Sequence, residues 1–464
     1  HLHDITVVTP AFKDGKGVGW FANTCHAMDI GGRTLGAGAR QVYEEGVNVP
    51  IMYLFRQGVL NQDLIDILRA NVREPDQVVG DLYAQQAGND VGAAKLLETM
   101  VEYDLDTLDL LSQMILDRSE EATRDAIEEI PNGRYEDEVP IDGFDDPLVI
   151  KVAIDVGDRD LVVDYTGSSP QVNWGINVVY NYTHAYTTYP LKCAISPAIP
   201  NNEGSFRPVT VKAPEGCILN AQFPCAVGAR HLVGHFLSQA VFGALSKAVP
   251  DRVLADGSAG LWNTQLEGIG RDGRRFAYIF FSAGGMGASP TDDGLSATAF
   301  PSGIRGVPAE AIESVSPVRM LKRELIQDSG GAGEFRGGLS QEMVLTVDSD
   351  SSAQHSCMYD RTRFAPRGFL GGQDGMRGEL YLSDGTAVPP KATYDLASGD
   401  TVTLRLPGGG GYGRADLRDP ERVLEDVRQG RVSILSAKES YRVVIDPARQ
   451  CVDVQATAQL RSDK

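Results

Sequence analysis

The chain has 464 residues, enough for about three domains at roughly 150 residues each. Its 43 Lys and Arg against 63 Asp and Glu leave a formal charge of −20, which repels phosphate backbones and anionic lipid and argues against nucleic acid or a membrane as partner. With 42% apolar and 23% charged residues, no apolar run near the ~18 residues of a membrane helix and no leader-like opening, the composition is that of a globular protein expected in the cytoplasm.

The chain opens on His1 inside a strand-like run, HLHDITVVTPAF, so further residues upstream are expected. Residues 1–70 read as short strands with turns at Lys13–Gly17 and Gly31-Gly32, an irregular β region. From Pro75 the period becomes helical: Leu82, Ala93, Leu96, Leu97, Met100 and Val101 predict one helix, and Leu108, Leu111, Met114 and Ile115 a second. Together they form a helical hairpin in the 71–130 region. Pro131-Asn132-Gly133 ends it. Strands are predicted at 148–156 and 160–167 around Gly157-Asp158-Arg159. Helical patterns follow at about 178–193 and 230–249, the latter amphipathic and half buried, completing an α+β middle region over 131–250. The last region, 251–464, is β-rich and glycine-rich, with strands predicted at 276–281, 342–347, 401–406 and 442–447. This order of elements favours an α+β fold of mixed β layers over a doubly wound sheet.

Six cysteines without a C-x-x-C pair exclude a local zinc ribbon or dithiol motif and read as reduced. Two of the seven histidines stand in the same H-x-x-D frame, His1-Leu2-His3-Asp4 and His26-Ala27-Met28-Asp29. Imidazole with carboxylate suits Zn, Mn or Fe, and neighbouring strands would place His1, Asp4 and His26 around one divalent ion with positions left for water. Strand alternation turns His3 to the other face, and Asp29 is the nearest candidate to orient the His26 ring. The same spacing also fits a chain end and a core histidine. His231 and His235 share a helix face beside Arg230, but Leu232 stands where a zincin needs Glu, so this trio reads as a structural or substrate-facing group.

Glycine is the compositional outlier, at 51 residues, with dense runs at 284–294, 328–338 and 407–413. None carries a Walker-type G-K-[ST] ending or a G-x-G-x-x-G between strand and helix, so tight turns and close backbone packing explain them better than a nucleotide site. No G-x-S-x-G elbow is present, and Cys25 points away from its neighbour His26 on a strand.

Taken together, HLHDITVVTP, HAMDIGG, REPDQVVGDLYAQQAGN, DYTGSSPQVNWGIN, IPNNEGSFRPV, DSGGAGEFRGG, DRTRFAPRGFLGG and PGGGGYG resemble the hydantoinase B (oxoprolinase B) family, whose relatives include metal-bearing subunits of acetone and acetophenone carboxylases. The resemblance implies a subunit that completes a reaction on a small molecule after a hydantoinase A-type, ATP-binding partner has phosphorylated its carbonyl. A hetero-oligomer is therefore expected, with ATP bound only through that partner. It maps the family's metal ligands onto His1, Asp4 and His26, with a further acidic ligand upstream. Cyclic amide hydrolysis is the expected reaction, ketone carboxylation the rival, and a non-catalytic scaffold for the A component the third reading.

Overall fold

The computed structural model describes residues 1–271, 273–348 and 352–462, so the last two residues of the 251–464 region lie outside it. The opening segment forms a hairpin: β1 (Asp4–Lys13) and β2 (Lys16–His26) run antiparallel around a turn in which Asp14 and Gly15 take positive φ. A two-stranded ribbon is marginal in water by itself, and two helices support it. In α1 (Gln62–Asn71) the Asn61 side chain caps the start by accepting from the Leu64 N–H. In α2 (Pro75–Glu102) Pro75 opens the first turn, where no N–H is needed.

Val79 and Leu82 of α2 pack with Leu64, Ile65 and Leu68 of α1 and Val7 of β1 into one small core. Beyond it, α2 binds the ribbon backbone through amide side chains. Gln85 Nε2 donates to the Ile5 and Asn23 carbonyls (2.8 and 3.2 Å), Asn89 Nδ2 donates to the Val7 carbonyl (3.1 Å), and Asn23 Nδ2 donates to Asn89 Oδ1 (2.7 Å). The Phe21 ring of the ribbon packs against α2 at Gly92, where a Cβ would lie 2.6 Å from it.

The second expected helix is present as α3 (Asp109–Glu128), but α2 and α3 share almost no contact. Each gives its inward face to a different neighbour: α2 to the ribbon, and α3, through Ile127, to the middle core. Leu111, Met114 and Ile115, whose spacing marks the helix, stay exposed.

In the middle region the strands Gly133–Ile141, Leu148–Val156, Leu161–Asp164 and Val209–Lys212 form a sheet in that order. The first three are antiparallel and the last is parallel to the third. α4 (Tyr180–Ile195) and the helices His231–Gly234 and Phe236–Leu245 complete its core. The sequence pattern predicts a half-buried amphipathic helix at the last of these. Instead every residue of Phe236–Leu245 is buried, because Gln239, an apparent outward-facing residue, donates to the Gly257 carbonyl (2.7 Å) and accepts from Arg361.

The C-terminal region holds two four-stranded antiparallel sheets. One contains Trp262–Ile269 and Arg275–Ser282, the other Gln341–Val347 and Thr401–Arg405, and both contribute to a core around Trp262, Leu266, Leu345 and Leu404. Three of the four expected strands fall in these sheets. At 442–447 only Ile445–Asp446 is strand, and Tyr441 and Val443 instead fill a small core with Val423 and Leu424.

The glycine-rich segments lie side by side as extended chain. N–H groups of Gly285, Gly338, Gly331 and Gly410 donate to the carbonyls of Pro407, Met286, Gly409 and Asp256 at 2.8 to 2.9 Å. A Cβ at Gly285 would overlap the Gly338 carbonyl oxygen, and one at Gly409 that of Met286. These N–H groups are spent on neighbouring backbone, which is the close packing expected of them and leaves them unable to cradle a phosphate. The whole is an α+β fold.

Candidate metal centre

The ribbon register pairs Asp4 with His26, so their side chains share one face at the open end of the hairpin. The chain before β1 folds back onto this end: the Asp4 N–H donates to the His1 carbonyl (3.2 Å) and the Ala27 N–H to the His3 carbonyl (2.7 Å). His1, Asp4 and His26 thereby bring one ligand-type atom each to within 4.8 Å of one another. His1 Nε2 lies 3.2 Å from His26 Nε2, and His1 Nδ1 lies 3.2 Å from Asp4 Oδ2. Two imidazole nitrogens at that distance either share a proton or direct both lone pairs at one cation.

His3 belongs to the same group. Its ring centroid is 5.3 Å from that of His1 and 5.2 Å from that of His26, and its buried Nδ1 has no hydrogen-bond partner. Alternation places it on the opposite face, but regular strand begins only at Asp4, so the period of two does not reach back to residue 3. Burial pushes the His3 imidazole down to about 4, with the neighbouring His26 adding to the effect, and burial lowers His26 as well although Asp4 opposes this. These rings are neutral at neutral pH, the state in which imidazole offers a lone pair.

Arg230 closes one side. Its guanidinium donates to Asp4 Oδ2 at 2.5 Å and lies 5.2 Å over the Tyr182 ring. Tyr182 stacks on Tyr186 at 4.2 Å, Tyr186 stacks on His235, and His235 Nε2 is 2.9 Å from Ser302 Oγ. His231 is half-buried, with a buried and unpartnered Nε2, and its ring lies 5.8 Å from that of His235; desolvation holds it well below the usual imidazole range and His235 at about 3. Of the residues expected around the ligands, Arg230 touches Asp4 directly, while His231 and His235 stand behind it. Asp29 does not reach His26. Its carboxylate accepts from the Gly31 N–H and is held by the backbone and guanidinium of Arg73, 44 positions further along.

Glu45 carries no signal in the sequence, yet it lies in this neighbourhood. Its Oε1 accepts from the Val227 and Gly228 N–H groups (2.7 and 2.6 Å), just before Arg230, while Oε2 is buried without a partner. Burial raises its carboxyl above the usual range, against the pull of those two bonds and of Arg230. Cys25, next to His26, is no thiolate: desolvation and the nearby Asp81 and Asp4 push its thiol up.

Two imidazoles, one carboxylate and a third imidazole with an unpartnered ring nitrogen, His3, fit a divalent ion of the Zn, Mn or Fe type. Among the described residues, no other cluster of His, Cys, Asp and Glu has this geometry.

Residues 1–415 match the hydantoinase B/oxoprolinase family, and the chain belongs to it. Among relatives, a protein of Pseudomonas sp. (strain NS671) assigned as the B-type component of a D-/L-hydantoinase is 33% identical over 99% of this chain and 81% of its own length. The beta component of the caprolactamase of Pseudomonas jessenii is 30% identical over 96% of this chain and 80% of its own length. The solved ATP-dependent caprolactamase from the same organism superimposes with a TM-score of 0.87, covering 100% of this chain and 83% of that one at 28% identity. A nucleotide-free acetone carboxylase shares the fold at a TM-score of 0.83 and 19% identity, over 100% of this chain and 70% of that one.

Proposed function

We propose that this chain is the metal-bearing B-type component of an ATP-dependent cyclic amide hydrolase of hydantoinase or 5-oxoprolinase type, acting on a carbonyl that a partner A-type component has phosphorylated. The observation that carries the reading is the convergence of His1, Asp4 and His26 at the ribbon end, with the Asp4 carboxylate oriented by Arg230. An amide carbonyl is a poor electrophile, and O-phosphorylation by the partner makes it attackable. A divalent ion held by His1, Asp4 and His26 would supply Lewis-acid polarisation and a nucleophile at neutral pH.

This chain's own residues account for the rest. Arg230 fixes the Asp4 carboxylate and places a permanent positive charge beside developing negative charge. The stacked Tyr182, Tyr186 and His235 rings form a wall that limits water on that side. Glu45, with Oε1 fixed by two amides and its carboxyl raised by burial, can hold a proton at Oε2 for a departing nitrogen. Relatives named as hydantoinase and caprolactamase components, at 30% identity or above, favour amide hydrolysis over ketone carboxylation, whose likeness rests on fold alone.

The test is turnover by the chain with its A-type partner and ATP. 5-Oxoproline or a lactam should yield the ring-opened amino acid, and hydantoin the N-carbamoyl amino acid, each with ADP and phosphate, and stoichiometric metal should be lost in a His1→Ala, His26→Ala double variant. Label from bicarbonate appearing in a β-keto acid, with no ring opening, would refute the hydrolase. Full turnover by metal-free protein would refute the metal role.

A further inference from the structure

A cleft of about 490 Å³ lies between the loop that follows the His26 segment and the C-terminal sheet. Its size falls in the range of small-molecule sites, roughly 300 to 1,000 Å³. Three cations line it, Arg33, Arg40 and Lys391, and no carboxylate does. In a chain of net charge −20 such a spot is an electrostatic exception, and it attracts small anions that the rest of the surface repels.

The three cations retain donors. Lys391 is buried, and its Nζ lies 2.7 Å from Asp360 Oδ2 without an aligned hydrogen bond, so the contact is ionic and N–H groups remain for another acceptor. Arg33 is paired through NH1 with Glu44 (2.8 Å), and Arg40 donates through NH1 to the Asn173 carbonyl (3.1 Å), leaving most of each guanidinium unspent. The Arg40 guanidinium lies 3.3 Å over the Trp174 ring, whose other face stacks on Phe144 at 3.7 Å. Trp174 is itself held by Asp145, to which its Nε1 donates at 2.7 Å. The indole thus holds one guanidinium plane in place, the preorganisation that anion recognition rewards. Phe144 adds an apolar wall to a space larger than inorganic phosphate fills.

We propose that this cleft binds a small organic phosphate, its oxyanion held by Arg33, Arg40 and Lys391 and its apolar body placed against Phe144. Lys391 and His26 both lie near enough to His231 to disfavour its protonation. The inference deepens the proposed function, since a phosphorylated carbonyl compound is an anion of this class, but its test contains neither ATP nor metal.

Calorimetric titration of the full chain with phenyl phosphate, inorganic phosphate and phenol reads it. Phenyl phosphate should bind, inorganic phosphate more weakly, and phenol not at all. Arg40→Gln, at an exposed position, should weaken phenyl phosphate about tenfold, the loss of a charge-assisted hydrogen bond. Trp174→Leu should weaken it by a smaller factor, and His26→Ala should leave it unchanged. Thermal unfolding of each variant shows that it is folded, and Arg33→Gln provides a second exposed substitution. Absence of phenyl phosphate binding at millimolar concentration, or binding equal in wild type, Arg40→Gln and Arg33→Gln, overturns the proposal. So does inorganic phosphate binding as tightly as the ester. Failure of the amide-hydrolase reading, seen only in turnover, would leave these affinities intact.

Discussion

Two regions of this chain carry the sequence features most often associated with ligands: the histidines at the ribbon end and the glycine runs of the C-terminal half. Their polar groups meet opposite fates. In the glycine bundle the N–H groups of Gly285, Gly331, Gly338 and Gly410 all donate to nearby carbonyls, and the backbones approach too closely for any side chain. In the histidine corner, buried nitrogens on His3 and His231 and one oxygen of Glu45 have no partner at all. An unpaired buried polar atom costs about 1 to 3 kcal/mol, and three of them gathered around the ligand-type residues of one corner are what a bound group would relieve. Between these two regions the difference lies in whether the polar groups are met, not in whether the residue type is one that ligands use.

The comparison breaks most sharply if the corner is emptied. Asp4→Ala or His26→Ala should cut metal content and lower turnover of the complex by at least about a hundredfold, more than loss of an outer-shell partner costs, with thermal stability near wild type. Elemental analysis with steady-state kinetics checks it, and stoichiometric metal in both variants would move the site elsewhere. Gly409→Ala should do the reverse. Its Cβ meets the Met286 carbonyl, which sits in fixed backbone, so destabilisation by about 3 kcal/mol is expected in denaturant unfolding.

Arg230→Gln probes the border between the two behaviours. It removes a positive charge that competes with a cation for Asp4, so metal affinity should hold or rise while turnover falls about tenfold, a charge-assisted contact's worth. Equal loss of both would make Arg230 a purely structural residue. The smallest effect is expected at His355, a buried histidine of the satisfied kind. Its Nδ1 and Nε2 lie 2.7 and 3.2 Å from the Tyr394 and Tyr359 hydroxyls, and burial holds it at about 3. The unfolded chain binds a proton there near pH 6.5 while the folded chain does not. Stability is therefore full above that pH and falls, by at most about 1.4 kcal/mol per unit, as pH drops toward 3. His355→Gln should flatten that slope in unfolding titrations at pH 7 and pH 5 and leave metal content untouched.

Much of this was legible in the residues. The two H-x-x-D frames, joined by a hairpin whose turn is written in Lys13–Gly17, place His1, Asp4 and His26 together because antiparallel register does the rest. The glycine runs were readable as packing because they lack the endings that phosphate loops require. His3 escaped because alternation holds only inside a strand, and β1 starts one residue later. Asp29 misled because sequence proximity to His26 says nothing about Arg73, which arrives through α1 and captures the carboxylate. Glu45 had no signal: it reaches the corner because its loop is folded back by long-range backbone bonds, Val47 N–H to the Ile30 carbonyl, Arg33 N–H to the Glu44 carbonyl and Val42 N–H to the Pro224 carbonyl. The middle helix was under-buried in expectation because Ser238, Gln239 and Gly243 mimic a solvent face, whereas the whole helix is enclosed and Gln239 bonds to Gly257 and Arg361.

The amides of α2 give the ribbon a property that two strands alone lack. Slipping β1 by one residue against β2 would carry Asp4 away from His26 and turn every alternate side chain over. Such a slip would also have to break the bonds from Gln85 to Ile5 and Asn23 and from Asn89 to Val7, which reach both strands from one rigid rod. The helix therefore works as a vernier scale, reading the alignment of two chain segments and allowing a single setting. Gln85→Leu and Asn89→Leu together would keep the helix and its packing while erasing the graduations, and alternative pairings of the hairpin would then show as a second set of ribbon amide resonances.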